Sequence, residues 1–145
     1  MMKTSLSSWV LLALFFILVL GGCTSPQPTS VLPATINRDC GPADGPAFTI
    51  AIPWDGGGQV VISIWQAPEL GGRSRFSLTD PTDQTGSATL FTGADALEPL
   101  SGTVTFEGVN VNKPVDGAIR LVSASGALFE GQFRAEWGTA VAYCG

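Results

Sequence analysis

The sequence predicts an all-β domain, and we expect an antiparallel β-sandwich of about seven or eight strands, with a small β-barrel as the alternative. Gly, Thr, Ser and Val are frequent and charged residues make up only 13% of the chain, a composition typical of strands joined by tight turns. Several short segments after residue 35 alternate apolar and polar residues with the period of two that a half-buried strand requires. Amphipathic segments of helix length are absent from that region.

The first predicted pair of strands lies in residues 48–65. Apolar side chains occupy alternate positions on both sides of a glycine-rich turn at residues 55–58: Phe48, Ile50, Ile52 and Trp54 before it, and Val60, Ile62 and Ile64 after it. This pattern predicts a β-hairpin. Pro53 indicates an edge position or a strand end, because proline has no N–H to donate to the sheet.

Residues 75–79 and 87–92 form shorter candidate strands, separated by the turn-forming stretch 80–86. Farther on, a β-bulge near Gly108 would keep four apolar residues facing inward: Val104, Phe106, Val109 and Val111. The clearest alternation follows in residues 115–121 and 129–137. The segments that begin at residues 100, 115 and 129 share one short pattern with a central glycine, which is typical of a β-meander. We expect its glycines to make room for large neighbours, with Leu121 close to Gly131 if the turn between the two strands is a short hairpin.

The N-terminus has the layout of an export signal. A single positive charge at Lys3 precedes an uncharged apolar run at residues 9–20. That run has about a dozen residues, whereas a helix that crosses a bilayer needs roughly 20. It ends in Leu20-Gly21-Gly22-Cys23, which resembles the lipobox of bacterial lipoproteins processed by a signal peptidase of type II.

The resemblance implies that a signal helix at residues 1–22 is removed between Gly22 and Cys23, and that Cys23 carries a diacylglyceryl group. Each buried methylene adds about 0.8 kcal/mol, so two or three acyl chains hold a protein stably on a membrane. The expected location is the extracytoplasmic side of the cell envelope. Thr24 in place of an aspartate favours the outer membrane if the host has one. The alternatives are an ordinary secretory peptide or an uncleaved anchor, with Cys23 as a stray thiol.

The mature chain divides into a tether at residues 23–35 and a single domain at residues 36–145, a size that can bury its own core. Three prolines and little hydrophobic pattern at residues 24–35 predict an extended spacer. Cys40 and Cys144 lie near the two ends of the domain, and in an oxidising compartment we expect them to form a disulfide. Free thiols with a redox role are the alternative, although neither cysteine belongs to a Cys-x-x-Cys motif.

The residue types argue against most catalytic and metal sites. The chain has no histidine, which removes the usual general base and the commonest transition-metal ligand. We therefore predict a non-enzymatic domain without metal or cofactor. A carboxylate pair could still hydrolyse glycans. Asp80, Thr82 and Asp83 could coordinate calcium, although a solvated turn is the favoured interpretation.

The charges also restrict the partners. The mature chain keeps six basic residues against twelve acids, a formal charge of about -6, so nucleic acid is not an expected partner. Arg120 and Arg134 are interpreted as outward residues in cross-strand charge pairs, with ligand binding as the alternative. Arg73 and Arg75 follow two glycines in a predicted loop, where they could grip an anionic partner or serve solubility.

Trp65 is the candidate binding residue that we favour, because it falls out of phase with the apolar row that ends at Ile64. A flat aromatic side chain on a sheet surface can stack on a sugar or anchor a protein partner. A bulge or a covering loop would instead bury it. Trp54 and Trp137 match the inward phase and are predicted core residues.

We therefore expect a membrane-anchored lipoprotein whose domain binds an envelope protein or glycan, or has a structural role. A carbohydrate-binding module that uses Trp65 and a carboxylate-dependent glycan hydrolase are the alternatives.

Overall fold

The structure is a computed structural model that describes residues 30–66, 71–79, 85–93 and 97–144. These residues form eight strands: β1 (Leu32–Cys40), β2 (Pro46–Trp54), β3 (Gly58–Ile64), β4 (Ser74–Leu78), β5 (Gly86–Phe91), β6 (Leu97–Phe106), β7 (Val115–Ser123) and β8 (Leu128–Trp137). A 3-10 turn at Pro42–Asp44 joins β1 to β2. The predicted signal at residues 1–22, the predicted lipidation site Cys23 and residues 24–29 of the predicted tether lie outside the described residues. Within the described ranges, no helix is long and apolar enough to cross a membrane.

The strands close into a barrel of seven, in the order β6-β5-β3-β2-β1-β8-β7 and back to β6. Neighbouring strands are antiparallel except for β1 and β8, which run parallel from the pair Leu32–Phe133 to the pair Ile36–Trp137. The eighth strand, β4, pairs with residues 102–106 of β6, whereas β5 pairs with residues 97–100 of that strand. The all-β class is confirmed, and the architecture is the barrel considered as the alternative, not the sandwich.

Barrel closure depends on β1, a strand that the sequence pattern did not predict. It pairs with β2 over six residue pairs and with β8 over five, so it joins two strands that would otherwise be open edges. β1 begins at Leu32, within the range 23–35 assigned to the tether. The ordered fold therefore starts before the predicted boundary at residue 36.

The barrel interior is filled by apolar side chains from every strand. The fully buried members include the aromatic residues Phe106 and Phe133, whose ring centroids lie 6.0 Å apart. Trp54 and Trp137 pack against this core while partly buried, in the phase that the sequence predicted. The inward rows of β7 and β8 are also those predicted, and the outward residues are exposed except for the half-buried Ala118 of β7.

Two details of the predicted packing are wrong. β6 ends at Phe106, before the predicted bulge at Gly108. Val109 is buried but Val111 is 40% exposed, so the four residues predicted to face inward do not all do so. Leu121 pairs with Phe129, and Gly131 pairs with Ile119. The reason is the turn between β7 and β8, in which the Ser123 N–H donates to the Ala127 carbonyl and the last strand pair is Val122–Leu128.

The two ends of the barrel differ. At the upper end β1, β3, β6 and β8 finish, and the 3-10 turn and residues 107–114 connect strands there. At the lower end lie the turn at residues 55–57 and the turn at residues 124–127. β1 runs from Leu32 to Cys40 at the upper end, so the chain enters this strand at the end that is farther from the disulfide.

Candidate functional site

The C-terminal tail, residues 138–144, lies at the upper end and is covalently fixed there. Cys144 forms the predicted disulfide with Cys40, with the two Cα atoms 5.5 Å apart. The Gly138 N–H donates to the Ile36 carbonyl at 2.8 Å. Ile36 and Trp137 are paired, and Cys40 and Cys144 are bonded. Between these two points β1 advances four residues, from Ile36 to Cys40, whereas the tail advances seven, from Trp137 to Cys144. The tail therefore arches away from β1 before it returns to the disulfide.

The arch of the tail forms one wall of a cleft of about 280 Å³, which we call the upper cleft. The other walls are Arg38 of β1, Trp137 of β8, and Val111 and Asn112 of the connection between β6 and β7. Trp137 is held on two sides: its indole N–H donates to the Asn110 carbonyl at 3.1 Å, and its ring centroid lies 5.8 Å from that of Phe48. Because the only polar atom of its side chain is already engaged, Trp137 offers the cleft apolar surface.

Arg38 supplies the charge of the upper cleft. It lies in the same phase of β1 as the buried Ala34 and Ile36, but at the strand end, where the barrel opens and the side chain is exposed. Its strand partner is Phe48. The ion pairs found among the described residues are Arg73–Glu107 and Arg134–Asp116, so no described acid neutralises Arg38.

Asp39, the nearest acid in sequence, has other partners. Its carboxylate accepts hydrogen bonds from the Thr49 hydroxyl and from the Cys40 N–H, and it does not line the cleft. The lining of the upper cleft consequently combines the guanidinium of Arg38, which no acid of the described ranges neutralises, the amide of Asn112, the hydroxyl of Thr139 and several apolar side chains. Such a mixture of apolar surface with a few polar groups is typical of small-molecule sites.

Two further clefts are formed by described residues. One, of about 370 Å³, is lined by residues in or next to β4, β5, β6 and β7, all of them uncharged. The other, of about 250 Å³, contains the acids Glu107 and Asp116. Each acid has a cationic partner, Arg73 at 3.3 Å and Arg134 at 3.1 Å, and both acid side chains are more than half exposed. This third cleft therefore offers neither a buried carboxyl nor a free one.

Trp65 also lies at the upper end, directly after β3, where it is half-buried. Its backbone N–H donates to the Thr85 carbonyl at 2.9 Å. Its backbone lies against the segment that leaves the disulfide, since a Cβ added to Gly41 would lie 3.4 Å from the Trp65 Cβ. Trp65 does not line the upper cleft, and its role in binding stays a prediction.

The other residues considered from the sequence are dispersed. Arg134 donates to both carboxylate oxygens of Asp116 at 3.1 Å, and Arg120 lies opposite Glu130, as expected for cross-strand pairs. Arg75 is exposed on β4. The calcium candidates Asp80, Thr82 and Asp83 lie outside the described residues. Within the described part of the chain, no group of three or more acids or cysteines could hold a metal ion.

Arg38 was not selected from the sequence. The signal that could have found it is the alternation Ala34, Ile36, Arg38, which places a charge at the end of an inward row. That row was not recognised because the first part of β1, residues 32–35, was assigned to the tether.

The fold and the site define a class of protein: a small β-barrel with a side-chain-filled interior and a charged cleft at the end where its disulfide lies. Comparisons with protein-family models, with curated proteins and with solved structures find no match to this chain.

Proposed function

We propose that the protein is a lipid-anchored extracytoplasmic binding domain, in which the barrel is the scaffold and the upper end is the binding surface. The direction of β1 is the observation that carries this proposal. β1 leads from Leu32 to the disulfide at Cys40, so a lipid on Cys23 would attach at the end of β1 that is farther from the upper cleft.

The distances fit such an arrangement. Cys23 and Leu32 are nine positions apart, and an extended chain spans at most about 3.3–3.6 Å per residue, so this spacer reaches about 30 Å. The nine residues of β1 extend a similar distance in the other direction. Anchored through Cys23, the domain would turn its upper cleft towards the space beyond the membrane, where a soluble ligand or an envelope partner can reach it.

Several features favour binding over catalysis. The chain lacks histidine, and the acids Glu107 and Asp116, the pair that shares a cleft, are each neutralised by an arginine. A carboxylate-dependent hydrolase would need one carboxyl as a general acid and the other free to act as a base or nucleophile. Binding through Arg38 and Trp137 requires no further group.

The anchor is tested on the full-length chain in a bacterial host. Mass spectrometry of the membrane-bound protein is expected to show a lipid-modified N-terminal cysteine, and Cys23→Ala is expected to abolish both the modification and retention by the membrane. A Cys23→Ala product that is still lipid-modified and retained would contradict the anchor.

The orientation is tested with single added cysteines and a bulky, membrane-impermeant maleimide. Thr139→Cys, at the upper end, is expected to react several-fold faster than Gly57→Cys, at the lower end, when the protein is on its membrane. The same pair in detergent provides the control, because both sites are exposed there. Equal rates on the membrane would contradict the orientation.

Carbohydrate binding through Trp65 is the second candidate. It is favoured by the position of Trp65 at the same end as the upper cleft, half-buried beside Gly41. Replacing Trp65 by Ala should remove binding to a glycan array. An unchanged array signal would eliminate this candidate and leave the upper cleft in place.

A further inference from the structure

We propose that the upper cleft binds a small carboxylic acid with an apolar body, whose carboxylate pairs with Arg38 and whose body lies against Trp137. This inference deepens the proposed binding function by naming the ligand class. It depends on the folded barrel and not on the lipid at Cys23, so the two proposals can fail separately.

The charge of the site selects an anion. Arg38 has no acidic partner among the described residues, in a mature chain of formal charge about -6. A guanidinium presents its donors as a planar fork that matches a carboxylate in two parallel hydrogen bonds. The Asn112 amide and the Thr139 hydroxyl, which line the same cleft, can donate to the remaining lone pairs of such a carboxylate.

The walls and the size of the cleft define the rest of the ligand. Trp137, Val111 and Val141 line it, and the last two are 40% and 69% exposed, so a bound apolar body would cover surface that now faces water. The volume of about 280 Å³ corresponds to roughly nine water molecules at about 30 Å³ each. A carboxylate with about that number of heavy atoms, such as benzoate or hexanoate, fits this space.

The disulfide controls one wall of the cleft. Residues 138–142 line the cleft, and the tail to which they belong is attached to β1 at Gly138 through the Ile36 carbonyl and at Cys144 through the disulfide. Without the Cys40–Cys144 bond, the tail would keep only the hydrogen bond between the Gly138 N–H and the Ile36 carbonyl. Ordering the tail would then oppose ligand binding, so affinity should fall although Arg38 and Trp137 are unchanged.

The test uses the ¹⁵N-labelled, detergent-solubilised full chain and the indole N–H signals of its tryptophans. The Trp137 signal is identified by its loss in Trp137→Phe. Benzoate at up to tens of millimolar is expected to shift that signal saturably, while benzamide, its neutral isostere, should not. Arg38→Gln should weaken benzoate binding about tenfold or more, because a charge-assisted hydrogen bond is lost, and Arg38→Lys should weaken it less.

Arg120→Gln is the matched control, since Arg120 is also an exposed strand arginine but does not line the cleft; it should leave the affinity unchanged. Cys40→Ser/Cys144→Ser should bind more weakly than the parent while its Trp54 indole signal keeps the folded position. The proposal is overturned if benzoate moves no Trp137 signal, if Arg38→Gln binds equally well, or if benzamide competes as strongly as benzoate.

Discussion

Gly117 is the position at which the addition of one methyl group should most clearly disturb the barrel. It lies on β7 between Phe106 of β6 and Phe133 of β8, its partners in the two strand registers. A Cβ added there would lie 2.8 Å from Cε1 of Phe133 and still closer to Cζ of that ring and to the Thr105 carbonyl oxygen. The added methyl group would therefore clash with the buried ring of Phe133 and with the backbone of Thr105, which is part of the sheet.

The expected loss follows from these two contacts. Overpacking a well-filled core typically lowers stability by about 1–3 kcal/mol. Alanine in place of a strand glycine would otherwise gain about 0.5–1 kcal/mol from the unfolded state, so we expect Gly117→Ala to lose about 1–2 kcal/mol. For a domain of this size each kcal/mol lowers Tm by about 4 °C, which predicts a decrease of about 4–8 °C.

Thermal unfolding followed by circular dichroism measures this decrease, with Gly131→Ala as the control. A Cβ at Gly131 would meet Leu32 Cδ1 at 3.0 Å, the end of a flexible side chain that can move. The double variant Gly117→Ala/Phe133→Leu, analysed as a double-mutant cycle, shows how much of the loss comes from the ring and how much from Thr105. A Tm for Gly117→Ala at or above that of the parent would refute the packing argument.

Three further predictions concern other parts of the barrel. Replacing Cys40 and Cys144 by serine opens a cross-link between residues 104 apart in sequence and should lower the free energy of unfolding by up to about 4–5 kcal/mol; urea unfolding checks this, and a midpoint equal to that of the parent would contradict it. Phe106→Ala, at a fully buried residue that contacts Phe76 and Phe133, should lose about 3–5 kcal/mol, whereas Phe91→Ala, at an exposed residue, should lose less than about 1 kcal/mol; similar losses would refute the assignment of the core. Arg134→Gln removes a half-exposed ion pair with Asp116 and should lose less than about 1 kcal/mol, a loss that disappears in high salt if it is electrostatic.

The sequence predicted the strands that contribute a complete alternating row. Phe129, Phe133 and Ala135 are buried while their neighbours are exposed, because side chains of successive strand residues point to opposite faces. The pairing of Cys40 with Cys144 was also predictable, since two cysteines at the ends of a domain that is expected to be exported have few other roles.

The strand β1 was not predictable in the same way. Only Ala34 and Ile36 of its nine residues are buried, and Pro33 within it argued for an irregular spacer. Its pairing with β8 is a contact between residues about 100 positions apart, which local periodicity does not report. The choice between sandwich and barrel depends on that contact, so the sequence left both architectures open.

The upper cleft could not be predicted from the sequence either, because it also depends on contacts between residues far apart in the chain. Its tail wall, residues 138–142, has no regular structure, and such a segment acquires its position from the disulfide and not from its own pattern. Without knowledge of β1, the sequence gives no reason to distinguish Arg38 from other surface charges. Trp65, which the phase of β3 made conspicuous, lies outside this cleft.

The parallel pairing of β1 with β8 also constrains the order of folding. A chain is synthesised from its N-terminus, so β1 is made first and the partner that completes its pairing is made last. Until β8 is present, one edge of β1 has no partner, and contacts between residues so far apart in sequence form slowly. A polypeptide that stops before residue 128 would retain every other strand but could not close the barrel, and its open edges would favour association with other chains.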